Sequence, residues 1–182
     1  ALVILFQFNN LTIILGMSSM ILAFAYPFMK RITYWPQLFL GLTFNWGIIM
    51  GWSSITNYIS IEPMILYFSA IFWTLGYDTI YGLQDLRDDE IIGIKSTSIK
   101  FKNNVKVFVG TCYSLCAIGI LTLCLIMEID KYKMILLIPF VASLVYQLRV
   151  FEISKPKTCL VAFKSNNVTG IFVFILILSF SL

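Results

Sequence analysis

Six apolar stretches, each long or nearly long enough to cross a bilayer, divide this 182-residue chain. They run about 11–29, 36–54, 63–81, 105–127, 132–150 and 168–182, with a shorter apolar segment at 1–8. A spanning helix needs about 20 mostly apolar residues, and lipid offers no partner to an open strand edge, so this pattern selects an all-α polytopic transmembrane helix bundle. Composition agrees: 59% of residues are hydrophobic and 12% charged, and the mean hydropathy is +0.90. A soluble domain carries about a quarter charged residues and cannot bury this much apolar surface in its own core. No linker or second composition interrupts the pattern, so residues 1–182 read as one domain. The chain starts at Ala1 and stops at Leu182, both inside apolar runs. It therefore reads as an N-terminally truncated piece of a longer protein. No nucleic-acid partner is expected.

Charge placement tests the span assignment. The segments that separate the spans carry turn or cap residues: Pro36, Glu62-Pro63, Asn103-Asn104, Asp130 and Ser165-Asn166-Asn167. Counting these separators from the 11–29 span, the first, third and fifth hold eleven of the 13 basic residues. They are Lys30 and Arg31; Arg87, Lys95, Lys100, Lys102 and Lys106; and Arg149, Lys155, Lys157 and Lys164. The second has none and the fourth has Lys131 and Lys133. By the positive-inside rule the odd separators face the cytoplasm of a bacterium or the matrix of a mitochondrion. The inner membrane of either is the expected location.

Histidine is absent. That removes Ser-His and Cys-His nucleophiles, His-ligated haem and zinc, and His proton relays. Cys112, Cys116, Cys124 and Cys159 lie in apolar surroundings and read as small buried hydrophobes rather than a disulfide framework.

The third separator carries the chemistry. It holds Asp85-Leu86-Arg87-Asp88-Asp89-Glu90, with Asp78 seven residues before Asp85. On one helix Asp78, Asp85 and Asp89 share a face, and Tyr77 and Tyr81 extend the Asp85–Asp89 stripe backwards at a spacing of four. Three carboxylates in one place repel each other, and a hard divalent cation such as Mg²⁺ relieves that. Gly93-Ile94-Lys95 follows, a flexible break and then a cation suited to phosphate oxygens. The set points to Mg²⁺ and a phosphorylated substrate at the bilayer edge. A solvated polar loop is the plain alternative. Lys30 and Arg31 face the same side; they are either a positive-inside anchor or a contact for a carboxylate or diphosphate. Asn45, in mid-span, is either an interhelical hydrogen-bonding residue or a substrate contact. Phe163-Lys164-Ser165-Asn166-Asn167 is either a helix entry or part of the same cavity wall.

Three stretches carry a resemblance to a known family: YPFMKRITYWPQLFLGLTFNWG (26–47), YDTIYGLQDLRDDEIIGIKSTSIKF (77–101) and CLVAFKSNNVTG (159–170). On these the chain resembles the UbiA superfamily of membrane prenyltransferases, most closely the branch that prenylates 4-hydroxybenzoate on the way to ubiquinone. The resemblance implies an all-α bundle around a cavity open to lipid, with polyprenyl diphosphate and 4-hydroxybenzoate as substrates. It implies Mg²⁺ held between two Asp-rich motifs. Asp85 and Asp89 match the metal-binding acids of the second motif, and Asp78 the acid just upstream. Lys95 is placed like a phosphate-contacting lysine, and Arg31 like a basic residue that meets an anionic group. Tyr77, Tyr81, Lys30 and Asn45 are further candidates for substrate contact. The first motif, an Asn/Asp-x-x-x-Asp pattern, has no match in the chain. A naphthoate- or homogentisate-type acceptor stays open within the superfamily; haem O synthases fit less well because their histidines have no counterpart. Outside the superfamily, an ion or solute transporter using Asp78 and Asp85 is the remaining alternative, as is an inactive fragment.

Overall fold

A computed structural model describes residues 2–180. Every regular element among them is helical. After a short helix α1 (Leu2–Leu5) come α2 (Asn10–Ile32), α3 (Pro36–Phe44), α4 (Gly47–Thr56), α5 (Ile61–Gly82), α6 (Leu86–Ile92), α7 (Thr97–Lys100) and α8 (Val105–Ile126). A 3₁₀ turn at Lys133–Leu136 leads into α9 (Leu137–Val150), followed by α10 (Pro156–Lys164) and α11 (Asn166–Leu178).

Five segments are long and apolar enough to cross a membrane: 10–32, 36–56, 105–126, 133–150 and 156–178. The expected 63–81 span is α5, which is as long at 22 residues but more polar, with Tyr77, Asp78 and two buried threonines, Thr74 and Thr79. Burial explains the difference. This helix packs against α3, α8 and α10, and its threonines face that packing rather than the outside.

Two boundaries differ from the sequence expectation. The 36–54 span is two helices, α3 and α4, broken at Asn45-Trp46. The last span starts at Pro156, not near residue 168, and bends at Ser165. Proline at a first helical position loses no hydrogen bond, so Pro156 is a helix start rather than part of a loop. The polar run 164–167 then sits inside a span. Lys164 is exposed, while Asn166 turns inward. Residues 181 and 182, the end of that expected span, lie outside the described residues.

Side-chain hydrogen bonds and small residues fix the packing. Asn9 caps α2 by accepting from the Thr12 amide at 2.9 Å, and its own amide donates to the Ser53 carbonyl of α4 at 2.7 Å. The Trp46 indole donates to Leu15 O at 2.9 Å and the Tyr67 hydroxyl to Leu42 O at 2.8 Å. These tie α2, α3, α4 and α5 together. On the other side of α5 the largest core cluster joins it to α8, α9, α10 and α11 through Ile80, Val109, Cys116, Phe140, Cys159 and Leu176. All four cysteines are free and buried, as the apolar setting suggested.

The α5–α8 seam has no spare room. A methyl group on Gly76 would collide with the Tyr113 ring, and one on Gly119 with the Ser69 hydroxyl. We predict that Gly76→Ala and Gly119→Ala each cost about 1–3 kcal/mol of stability through overpacking. Gly51→Ala, where nothing lies within 4 Å, should be neutral or slightly stabilising. Thermal unfolding in detergent or nanodiscs checks the contrast; equal behaviour of the three variants would contradict the seam.

Candidate functional site

Helix α5 ends at Gly82, and α6 starts at Leu86 with Asp85 just before it. The acids are therefore not on one continuous helix, as the stripe reading assumed. The chain turns at 83–85 instead, and the turn still brings Asp78, Asp85 and Asp89 to one cavity of about 180 Å³. Tyr81, Tyr26, Lys30, Gln37 and Ser96 are among its other lining residues. On the far side of Asp85 lies a larger open cleft of about 860 Å³, which Arg87, Asp88, Lys106 and Glu152 help to line. Asp85 borders both.

Electrostatics follow from this arrangement. Among the described residues the ion pairs are Lys102–Glu90, Lys133–Asp130 and Lys155–Glu152, so none of the three cavity acids is in one. Burial raises the Asp89 carboxyl above its ordinary range; Lys30 opposes the shift, and Asp85 and Asp88 add to it. The cavity thus gathers negative charge, and Lys30 is the cation among its lining residues. Hard oxygen donors of this kind suit a Mg²⁺-like ion. Among the described residues, however, no three Asp, Glu, His or Cys groups converge closely enough to hold a metal by themselves. Asp85 and Asp89 fit as part of a ligand set, with further ligands from elsewhere.

The other candidates are placed as follows. Lys30 lines the cavity, whereas Arg31 is exposed in the last turn of α2 and does not. Lys95 also stays out of the cavity. Its backbone amide donates to Lys30 O at 3.0 Å and its Nζ to Ile32 O at 3.2 Å, with Nζ over the Tyr34 ring. It ties the 93–97 loop to the open carbonyls at the end of α2, a cap role. Asn45 donates to Gly41 O and to Thr74 Oγ1 at 2.8 and 2.9 Å, bracing the α3–α4 break against α5. Tyr77 packs edge-on to Trp73 and Phe163. Tyr81 both lines the cavity and meets the Phe163 ring at 4.6 Å.

Sequence reasoning assigned no role to Gln37, Thr79, Thr97 and Ser98. Together they bolt the polar segment onto the bundle. Gln37 Oε1 accepts from the Thr97 amide at 3.0 Å, Thr79 and Thr97 share a hydroxyl contact at 2.6 Å, and Ser98 Oγ donates to Thr79 O at 2.8 Å. All four are buried. Ser96 caps α7 by accepting from the Ile99 amide. The run Ser96-Thr97-Ser98 was the available signal, since consecutive hydroxyls after a glycine break ask for buried partners.

A helical bundle with apolar membrane-length segments and a carboxylate cavity beside a turn at the end of α5 defines a polytopic membrane protein with a polar site at one end of the bundle. The chain belongs to the UbiA prenyltransferase family, whose profile matches residues 1–176. It is 42% identical over 179 residues to the human protein named 4-hydroxybenzoate polyprenyltransferase, mitochondrial, and 41% identical to its bovine counterpart. Each match covers 96% of this chain and 47% of the relative. The Arabidopsis thaliana protein of the same name is 50% identical over 123 residues. The chain spans about half the length of the curated relatives it matches. In fold it is similar to the apo structure of a UbiA homolog from Aeropyrum pernix K1, with a TM-score of 0.78 and 17% identity. That match covers 97% of this chain and 66% of the other.

The Gln37 bond gives a local test. Gln37→Met removes the acceptor of the buried Thr97 amide, at a cost of about 1–3 kcal/mol for an unsatisfied group. Hydrogen exchange of amides 95–100 should accelerate while α8 stays protected. Unchanged exchange in that loop would show that the bond does not hold it.

Proposed function

We propose that the protein containing this chain transfers a polyprenyl group from polyprenyl diphosphate to the aromatic ring of 4-hydroxybenzoate, in ubiquinone biosynthesis. The likeness over nearly the whole chain to proteins named for that reaction supports the reading. The observation that carries it is the convergence of Asp78, Asp85 and Asp89 on one cavity beside Lys30 and Tyr81. We place the protein in the mitochondrial inner membrane with this cavity on the matrix side; the relatives' names and the skewed basic residues support that placement.

In this reading Asp85 and Asp89 bind Mg²⁺ together with ligands from outside these 182 residues. Bound there, the ion would supply Lewis-acid neutralisation of a diphosphate leaving group. The chain's own residues do the rest. Asp78 raises the negative field that attracts and orients the cation. Lys30, across the cavity, meets diphosphate oxygens and takes up part of the charge that grows on them as the allylic C–O bond lengthens. Tyr81 and the aromatic rings beyond it offer π faces to the electron-poor allylic carbon. The prenyl tail lies against apolar helix faces. The acceptor ring attacks from carbon ortho to its phenol oxygen, then loses the ring proton. Arg31 and Lys95, although outside the cavity, are tested as anion contacts in the same series, and Tyr77 and Asn45 as substrate contacts.

Two measurements follow. Asp85→Asn and Asp89→Asn, in protein expressed from its whole coding sequence, should each lower prenylated product by roughly 100-fold or more, as should chelation of the divalent ion. Lys95→Gln should cost far less turnover than Lys30→Gln. Near-normal turnover of either aspartate variant ends the assignment. The second concerns pH. Cation binding requires Asp89 as carboxylate, and burial raises its pKa. Binding is therefore complete above that raised value and is lost as pH falls through it, at a higher pH than for an ordinary aspartate. Mg²⁺ titrations at stepped acidic pH check this, and Asp89→Asn should flatten the profile.

A further inference from the structure

The polar run 163–167 is not absorbed by the carboxylate cavity, yet it sits on a buried chain of hydrogen bonds. Gln147, on α9, is fully buried. Its Oε1 accepts from the Tyr113 hydroxyl of α8. Both hydrogens of its Nε2 are used: one goes to Asn166 Oδ1 at 3.1 Å, the other to Thr169 Oγ1 at 3.0 Å. Asn166 Oδ1 also accepts from the Trp73 indole of α5 at 2.9 Å, while Asn166 Nδ2 donates to Phe163 O at 2.9 Å. The donors and acceptors leave one orientation for each amide. Trp73 and the Gln147 amide can only donate here, so Asn166 must turn its oxygen to both and its nitrogen to the carbonyl. A fully satisfied network of this kind in a low-dielectric interior is rigid and specifies one arrangement.

What this network fixes is an aromatic row. Trp73 meets Tyr77 edge-on at 5.9 Å, Tyr77 meets Phe163 at 5.8 Å, and Phe163 meets Tyr81 at 4.6 Å. Tyr81 is the end that lines the carboxylate cavity. Asn166 therefore holds two members directly, Trp73 through its indole and Phe163 through its backbone, and Gln147 holds Asn166. Trp73, Tyr77 and Phe163 are only half-buried, and they reach the cavity through Tyr81, the member of the row that lines it.

We infer that Gln147 and Asn166 are positioning residues: they lock the Trp73–Tyr77–Phe163–Tyr81 row as a water-excluding wall beside the allylic carbon at its most electron-poor point. The inference rests on the prenyl-transfer reading above. Once the C–O bond breaks, its electron pair leaves with the diphosphate, and the allylic carbon has two possible captors. An acceptor ring carbon forms a C–C bond and loses a proton, giving the prenylated acid. Water forms a C–O bond and loses a proton, giving the free polyprenol. A rigid apolar wall favours the first by keeping water out. A wall free to swing admits water and shifts the partition.

The test is the ratio of polyprenol to prenylated acid, with thermal stability as a folding control, in protein expressed from its whole coding sequence. Asn166→Leu removes the shared acceptor while keeping the branching of the side chain. Trp73→Phe keeps a ring but removes the indole N–H. Each should raise the ratio roughly tenfold, with the KM for the diphosphate substrate little changed. A uniform fall in both products at a fixed ratio would overturn the inference and leave the network a packing element. If Asn166→Leu does not fold, Trp73→Phe decides alone. Wild-type protein that forms neither product would sink the prenyl-transfer reading itself, and a wild type that prenylates with variants of unchanged ratio sinks only the positioning role.

Discussion

In hydrocarbon every backbone N–H and C=O must find a partner inside the protein. The architecture of this chain depends on that constraint. Most of the helices satisfy it by running unbroken. Where a spanning segment does break, an asparagine side chain adds a second hydrogen bond to a carbonyl of the preceding helix. At the α3–α4 break Asn45 donates to Gly41 O, and at the α10–α11 bend Asn166 donates to Phe163 O. Each asparagine then uses a second contact to grip α5, through Thr74 or through Trp73. Breaks and braces come in pairs, and both braces converge on α5.

That convergence explains why the polar chemistry sits where it does. Helix α5 can carry Tyr77 and Asp78 near its end because α3, α8 and α10 shield it from lipid. Its termination at Gly82 then needs no compensation from lipid-facing backbone, since the 83–104 segment is held by Gln37, Thr79 and Ser98. Glycine at 82 has a steric cause: a Cβ there would lie 2.5 Å from Ser98 Oγ. The carboxylates beyond the turn are thus set on a floor of buried, bonded groups, while the acids themselves have no ion-pair partner among the described residues. The floor's polar groups are bonded to one another, and the acids above it face the cavity beside Lys30.

Much of this was legible in the residues. Apolar run length gave the all-α membrane bundle. The i, i+4 and i, i+7 spacing of Asp78, Asp85 and Asp89 pointed to a shared site, and the family match agrees with the motif-based resemblance. The geometric reason behind that spacing was only partly right. The helix ends inside the stripe, because Gly82 and the following turn serve the packing of Ser98, which sequence periodicity does not register. Asn45 and Asn166 were both ambiguous, since an amide in an apolar run has the same signature whether it meets substrate or a neighbouring helix. Lys95 has a contact that the sequence pattern did not show. A lysine after an acidic cluster reads as a phosphate ligand, but the open carbonyls of α2 are nearer and compete for it.

The last span shows how far hydropathy alone can mislead. A window that averages over Lys155, Lys157, Lys164 and the two asparagines starts the helix about twelve residues late. The backbone starts it at Pro156, where a missing N–H costs nothing, and sends Lys164 outward and Asn166 inward from adjacent turns. One polar run thereby serves two solvents at once, with a cation placed to reach back toward the interface and an amide placed to order the core. The aromatic row beside the carboxylates is the consequence. Had the helix begun near residue 168, Phe163 would lie in a loop, and neither Tyr77 nor Tyr81 would have a ring to pack against there. The path from the metal-type acids to the buried Gln147 exists only because the final helix begins at its proline.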